Sequence, residues 1–256
     1  MGLAVVTVAS GGLPVVDVTS IAPRTGTPVT EASNGRGVPV TKVVGKPGMP
    51  VVFETIGVAA PVTYVTWAND ATAHNVTLSG GNLVAKSASS SNDCGARSSV
   101  LRNSGKYYYE ITPVTLIGGT ANAAGLALAS ATYADMAGVF TGSTVIVYFT
   151  GFIRVDGASS GVSIGARSNG DVIGIAIDLD LRKIWVRVAP LGIWNNNATA
   201  NPATNVLGIT PTAGSLGPAC NFGGTGSQAN NIISANFGSS PFVGAVPAGF
   251  TSGWPA

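Results

Sequence analysis

With 13 basic and 11 acidic side chains among 256 residues, the chain has a net charge of +2 and a charged fraction of only 9%, far below the quarter usual in soluble domains. An apolar fraction of 45% with so few charges excludes an intrinsically disordered chain, and scattered cations in near balance with anions exclude nucleic acid as a partner. The longest apolar stretches, such as Val145 to Ile153, fall short of the roughly 18 to 20 residues that a spanning helix needs, so no membrane insertion is expected.

The N-terminus has no basic region ahead of its apolar residues, and Val6 stands where the myristoylation pattern requires Ser or Thr. The mature chain is therefore expected to begin near Met1. Residues 1–60 repeat a short unit: Gly12-Leu-Pro-Val-Val, Gly26-Thr-Pro-Val-Thr, Gly37-Val-Pro-Val-Thr and Gly48-Met-Pro-Val-Val, the last three starting 11 residues apart. Proline cannot donate to a sheet ladder, so each unit reads as a short edge-like strand entered from a turn. Asn34-Gly35 adds a strong turn signal. Phe53 is the only aromatic residue before Tyr64, too little for a core of its own. Residues 1–60 are thus expected to form an extended, β-rich arm that lies on a surface. Two readings fit it: an assembly arm that docks by strand addition onto a neighbouring subunit, which the low charge favours, or an extension packed on its own chain.

From residue 61 to 256 the pattern becomes short alternating strands separated by polar turns. Strands are predicted at Tyr64 to Trp67, Asn75 to Leu78, Asn82 to Lys86, Lys106 to Thr112, Gly125 to Ala129, Val145 to Ile153, Val162 to Ala166, Asp171 to Asp178, Lys183 to Ala189 and Ile232 to Phe237. No window of twelve residues carries an apolar helical face, so the fold class is all-β, a two-sheet antiparallel β-sandwich. In Lys106 to Thr112, Tyr107, Tyr109 and Ile111 alternate with polar neighbours, as in a half-buried strand. Val172 to Ile177 is apolar on both faces and reads as central, with Gly174 marking a bulge or a close packing contact. Cys94 and Cys220 fit neither a disulfide framework nor a zinc site; they are either one bridge or two buried thiols.

Five ordered motifs carry a family resemblance: Ser104 to Thr112 (SGKYYYEIT), Gly125 to Ala129 (GLALA), Asn169 to Asp180 (NGDVIGIAIDLD), Lys183 to Arg187 (KIWVR) and Asn236 to Phe242 (NFGSSPF). Their order resembles that of SPRY domains, which implies a SPRY/concanavalin-A-like sandwich acting as a binding module over about Tyr64 to Trp254. Trp194-Asn-Asn-Asn197, Asn201-Pro-Ala-Thr204 and Asn236-Phe-Gly with Pro247-Ala-Gly-Phe250 are similar to SPRY modules of bacteriophage structural proteins, and VTEASNGRGVPVT resembles phage virion proteins. The resemblance implies a structural component of the virion surface: a fibre, tail-tip or head-decoration protein, assembled in the bacterial host cytoplasm. Its partners would be other virion proteins and copies of itself.

Enzymatic chemistry finds little footing. His74 is the only histidine, in a turn-like NDATAHN segment and with no Gly-x-Ser-x-Gly elbow. Asp178 and Asp180 are the only obvious carboxylate pair, and they fall where one strand ends and the next begins, a usual place for turn-stabilising Asp. Neither catalytic residues nor a cofactor nor a metal site is expected. The loop Gly223 to Asn231 (GGTGSQANN) reads as a connection. Carbohydrate recognition is the alternative, because aromatic faces stack on sugars and Asn offers donors and acceptors. Trp194, Asn195, Asn196 and Asn197 are its candidate ligand-binding residues, with host surface glycan as ligand.

Overall fold

The computed structural model describes residues 41–44, 52–55, 62–68 and 74–256. The chain divides into two compact units, Met1–Pro61 and Val62–Ala256. In the first, β1 (Thr41–Val44) pairs antiparallel with β2 (Val52–Thr55), Thr41 opposite Thr55 and Val44 opposite Val52. These strands emerge from the third and fourth Gly-Xaa-Pro-Val units. The first two units lie outside the described residues.

The second unit begins with β3 (Val76–Ser79), β4 (Val84–Ser87), β5 (Gly95–Arg97), β6 (Lys106–Thr115) and β7 (Ala123–Ala127), followed by the helix α1 (Tyr133–Gly138). Then come β8 (Ser143–Val147), β9 (Phe152–Val155), β10 (Ala158–Ser163), β11 (Val172–Asp178), β12 (Lys183–Ala189), β13 (Gly217–Asn221), β14 (Ile232–Asn236) and β15 (Thr251–Ser252). One sheet runs β10-β9-β8-β7-β13-β5, and the other β12-β11-β6-β14-β4-β3, with β15 added in parallel beside β6. Every other pairing is antiparallel. The unit is an all-β, two-sheet antiparallel sandwich.

Period-two alternation decides which side chains meet between the sheets. Tyr109, Ile111, Ile173, Ile175, Ile177 and Phe237 from one sheet face Ala124, Leu126, Ile146, Ile153 and Cys220 from the other, all buried. Two further clusters cover the outer faces. On one, Tyr133 and Met136 of α1 lie over Ala123, Ala127, Val145, Val147 and Ala219. The floor beneath the helix is built from small residues for a steric reason: a Cβ on Gly95 would strike the Tyr133 ring and come within 2.6 Å of the Cys220 carbonyl. On the other, Trp194, Phe242, Val246 and Phe250 pack over Tyr108, Ala176 and Trp185.

That last cover corrects the half-buried reading of Lys106 to Thr112. Tyr108 and Glu110, on the face away from the core, are 0% and 2% exposed because Phe242 and its neighbours close over them. Gly174 marks close packing and no bulge: the β11–β6 and β11–β12 registers run unbroken, and a Cβ there would lie 2.5 Å from the Tyr108 hydroxyl. The predicted strand Val145 to Ile153 is two strands, β8 and β9, broken by a turn at Tyr148–Gly151 where Gly151 takes φ +69°. Val162 to Ala166 shifts upstream to β10, and Tyr64 to Trp67 contributes only isolated bridges, Tyr64 to Pro255 and Trp67 to Ser98.

Cys94 and Cys220 are two free, buried thiols. Burial pushes Cys94 from 9.0 up to about 11 and Cys220 further above the ordinary thiol range. Both values are higher folded than unfolded, so the protection is full below about pH 9 and is lost as pH rises through 11. Both thiols are expected to resist iodoacetamide in the native protein at pH 8 and to react stoichiometrically in 6 M guanidinium. Urea midpoints measured from pH 7 to 11 should hold to pH 9 and then fall.

Candidate functional site

The Asn-rich loop follows β12. Gly192 N–H closes back onto the Val188 carbonyl at 2.7 Å, and a single 3₁₀ turn, Trp194–Asn196, follows. Asn195 and Asn196 both sit in the left-handed region, at φ 50° and 52°, which Asn tolerates better than most residues. The turn drives Asn195 inward, to 6% exposed. Its Oδ1 accepts from Val186 N–H at 2.9 Å, and its Nδ2 donates to the Leu207 carbonyl at 2.9 Å and to the Ile184 carbonyl at 3.4 Å. Val186 and Ile184 belong to β12, the edge strand of its sheet; Ile209 bridges Ile184 there, and the Asn195 amide takes the Val186 N–H, so these edge groups are not open to another strand.

The other three residues divide. Trp194 is half-buried, lying edge-on to Tyr108 at 6.4 Å, and the Arg187 guanidinium stands 4.4 Å over its ring, a cation–π contact. Arg187 Nη2 also donates to the Ala245 carbonyl at 2.7 Å, joining the loop to the C-terminal segment. Asn197 is exposed, and its Oδ1 accepts from Thr199 N–H at 2.9 Å and from the Thr199 hydroxyl at 2.8 Å. Asn196 is exposed. Downstream, Asn201 Oδ1 accepts from Ala203 N–H at 2.9 Å and opens the second 3₁₀ turn, Pro202–Thr204. Of the four candidate ligand residues, two face solvent, while Trp194 and Asn195 build the loop that presents them. Sequence gave no signal for that split, since all three asparagines look alike until the left-handed turn fixes which one points in.

A cleft of about 430 Å³ opens beside this loop, lined by Val155, Val162, Asn195, Asn197 and Leu207 to Thr210. It lies between β10, which supplies Ser160 and Val162, and the 207–210 segment that bridges β12 through Ile209 and Ile184. Asn195→Ala should lower the unfolding free energy by about 2 kcal/mol, since it strands the buried Val186 N–H and the Leu207 carbonyl, while the Ile184 carbonyl keeps Ile209 N–H at 2.9 Å. Asn197→Ala, removing an exposed cap, should cost about 0.5 to 1 kcal/mol. Urea titrations of the two variants side by side check this ranking.

The carboxylates and the histidine are engaged elsewhere. Asp178 is 1% exposed, pairs with Lys106 Nζ at 2.9 Å and accepts from Leu181 N–H at 2.9 Å. β11 ends at Asp178, so Asp180 does not share its face; its Oδ1 accepts from Gly105 N–H at 3.0 Å. His74 Nδ1 lies 3.0 Å from Asp93 Oδ1 and its ring is 4.7 Å from that of Tyr133. The loop Gly223 to Asn231 is tied down at both ends. Gly224 N–H donates to Asn92 Oδ1 at 3.0 Å, and the fully buried Asn231 accepts from Ile117 N–H at 2.7 Å and donates to the Gln228 carbonyl at 2.7 Å. Among the described residues no three His, Cys, Asp or Glu side chains gather as metal ligands, and no helix is long and apolar enough to cross a membrane.

No family model matches the sequence, and no curated protein matches it. Solved structures do. The chain is similar to the SPRY domain of human HERC1, at 12% identity over 62% of this chain and 91% of that one, with a TM-score of 0.46. It is also similar to the PSpry domain of TRIM65, at 11% identity over 68% of this chain and 92% of that one, with a TM-score of 0.47. A third similarity is to stonustoxin, at 17% identity over 68% of this chain and 27% of that chain, with a TM-score of 0.45. The sandwich itself rests on the strand pairing described above.

Proposed function

We propose that the chain is a non-enzymatic structural protein of a bacteriophage virion surface, a fibre, tail-tip or head-decoration component. Residues 1–60 attach it to the particle and to copies of itself, and the SPRY-like sandwich is the outward module. The observation that carries this reading is the resemblance of Trp194 to Asn197, Asn201 to Thr204 and Pro247 to Phe250 to phage SPRY modules, alongside the Gly-Xaa-Pro-Val units. Low charge supports it: a 9% charged fraction suits surfaces that are buried between subunits. Exposed apolar side chains on the sandwich, Leu191 at 91% and Phe149 at 68% among them, fit the same picture.

Light scattering on the full chain, beside a variant starting at Val62, tests it. The full chain is expected to form a defined oligomer and the shortened one a folded monomer. A full chain that stays monomeric at all concentrations and does not bind phage particles overturns the reading.

A further inference from the structure

The outer face of the β10-β9-β8-β7-β13-β5 sheet carries a second cleft, of about 420 Å³, that no part of the proposed function uses. Its lining includes Asn92, Thr120, Phe140, Val147, Arg154 and Thr225. The size is that of a small-ligand site.

Arg154 is the only charged residue in the lining. It is paired in register with Val145 of β8 and Ser159 of β10, and Val145 belongs to the outer cluster beneath α1. Its guanidinium therefore projects from the outer face beside the helix. Among the described residues it makes one long hydrogen bond, Nη1 to the Gly157 carbonyl at 3.4 Å, and joins none of the ion pairs. An unneutralised guanidinium in a cleft without carboxylates selects an anion, and its planar fork matches a carboxylate through two parallel hydrogen bonds.

The remaining walls are built for a polyhydroxylated partner. Thr120 N–H donates to the Thr225 carbonyl at 3.2 Å, and Asn92 Oδ1 holds Gly224 N–H at 3.0 Å. These bonds fix the two loops and leave threonine side chains exposed along the rim. Opposite stands Phe140, half-buried, with its backbone at φ +58°. That conformation is unfavourable for a bulky residue, and three bonds hold it. Phe140 N–H donates to the Asp135 carbonyl at 2.6 Å, while its own carbonyl accepts from Gly157 N–H at 3.1 Å and from the Ser143 hydroxyl at 2.9 Å. The result, among the described residues, is an aromatic side chain, a row of hydroxyls and a guanidinium without an ion-pair partner around a single space. We infer that this cleft binds a carboxylate-bearing sugar such as a uronic acid residue, its carboxylate on Arg154, its hydroxyls on Thr120, Thr225 and Asn92, and its C–H face on Phe140. The inference stands apart from the virion reading and from the Trp194 to Asn197 loop.

Nuclear magnetic resonance titration of the full chain with glucuronate, glucose and acetyl-alanyl-alanine tests it. Glucuronate is expected to shift the amides of residues 120–121, 140, 154 and 224–225 with millimolar affinity. Glucose should bind at least tenfold more weakly, as should the dipeptide, which offers a carboxylate without a sugar. Arg154→Gln, checked for an unchanged melting temperature, should weaken glucuronate at least tenfold, and Thr225→Val about threefold. Equal binding of the dipeptide would make the cleft a peptide-carboxylate site, and equal binding of glucose would remove the role of the charge. Either result overturns the inference, as do an absence of shifts at these residues and an unchanged affinity in Arg154→Gln.

Discussion

Trp254→Ala will lower the unfolding free energy by about 3 to 5 kcal/mol, the range for deleting a large buried aromatic side chain and leaving a cavity. Trp254 is fully buried, with its ring centroid 4.7 Å from that of Tyr107 and 5.9 Å from that of Tyr109. Its indole N–H donates to the Val100 carbonyl at 3.2 Å, a bond lost on truncation although that carbonyl keeps the Ser98 hydroxyl at 2.9 Å. The backbone around it closes the sandwich. Trp254 N–H donates to the Phe237 carbonyl at 2.8 Å, Val65 N–H to the Trp254 carbonyl at 3.0 Å, and Ala256 N–H to the Thr63 carbonyl at 2.9 Å. The residue thus fastens the first and last segments of the unit to each other. Urea denaturation followed by tryptophan fluorescence and by circular dichroism measures the loss. Trp254→Phe, which keeps most of the volume, should recover more than half of it; a shift under 1 kcal/mol for the alanine variant would contradict the packing described here.

The sandwich was legible because its strands obey simple patterns. Lys183 to Ala189 is a strand with the bounds expected, and the others with apolar alternation fall within a few residues of theirs. The missed elements lack that pattern for physical reasons. β5 is Gly-Ala-Arg and β13 is Gly-Pro-Ala-Cys-Asn; their residues are small because α1 lies over them, so there is little hydrophobic signal to read. The helix is six residues long, too short for a periodic face, although Thr132 and Asp135 form a capping box at its start that the sequence offers as a three-residue spacing. At the candidate site, Trp194 to Asn197 was legible as a special loop, but the inward turn of Asn195 depends on two consecutive left-handed residues that composition does not reveal. Arg154 and Phe140 lie 14 residues apart and meet only because the β8–β9 turn returns the chain beside the end of α1.

Glu110 is the residue whose loss should reorganise the second cover of the sheet. It is 2% exposed and has no lysine or arginine within ion-pair distance among the described residues. Its carboxylate is satisfied by donors instead: Oε1 accepts from the Tyr108 hydroxyl and from Gly244 N–H, each at 2.7 Å, and Oε2 accepts from Val243 N–H at 3.0 Å. Two backbone amides of the segment that carries Phe242 are therefore held by one side chain of β6. The approach is close enough that a Cβ on Gly244 would lie 2.6 Å from the Tyr108 hydroxyl. Glu110→Ala leaves three donors without this acceptor, two of them in buried bonds and the third, Val243 N–H, in a partly buried one, at about 1 to 3 kcal/mol for each that cannot reach water, and about 3 to 5 kcal/mol is expected in all. Glu110→Gln keeps one oxygen for Tyr108 and Gly244 but sets an amide donor against Val243 N–H, so about 1 to 2 kcal/mol is expected. Hydrogen exchange gives the sharper readout: the Val243 and Gly244 amides should lose protection in both variants, most in the alanine variant, while β11 amides keep theirs. Unchanged protection at Val243 and Gly244 in Glu110→Ala would show that packing by Phe242, whose ring lies 5.0 Å from that of Tyr108, holds the segment without the carboxylate.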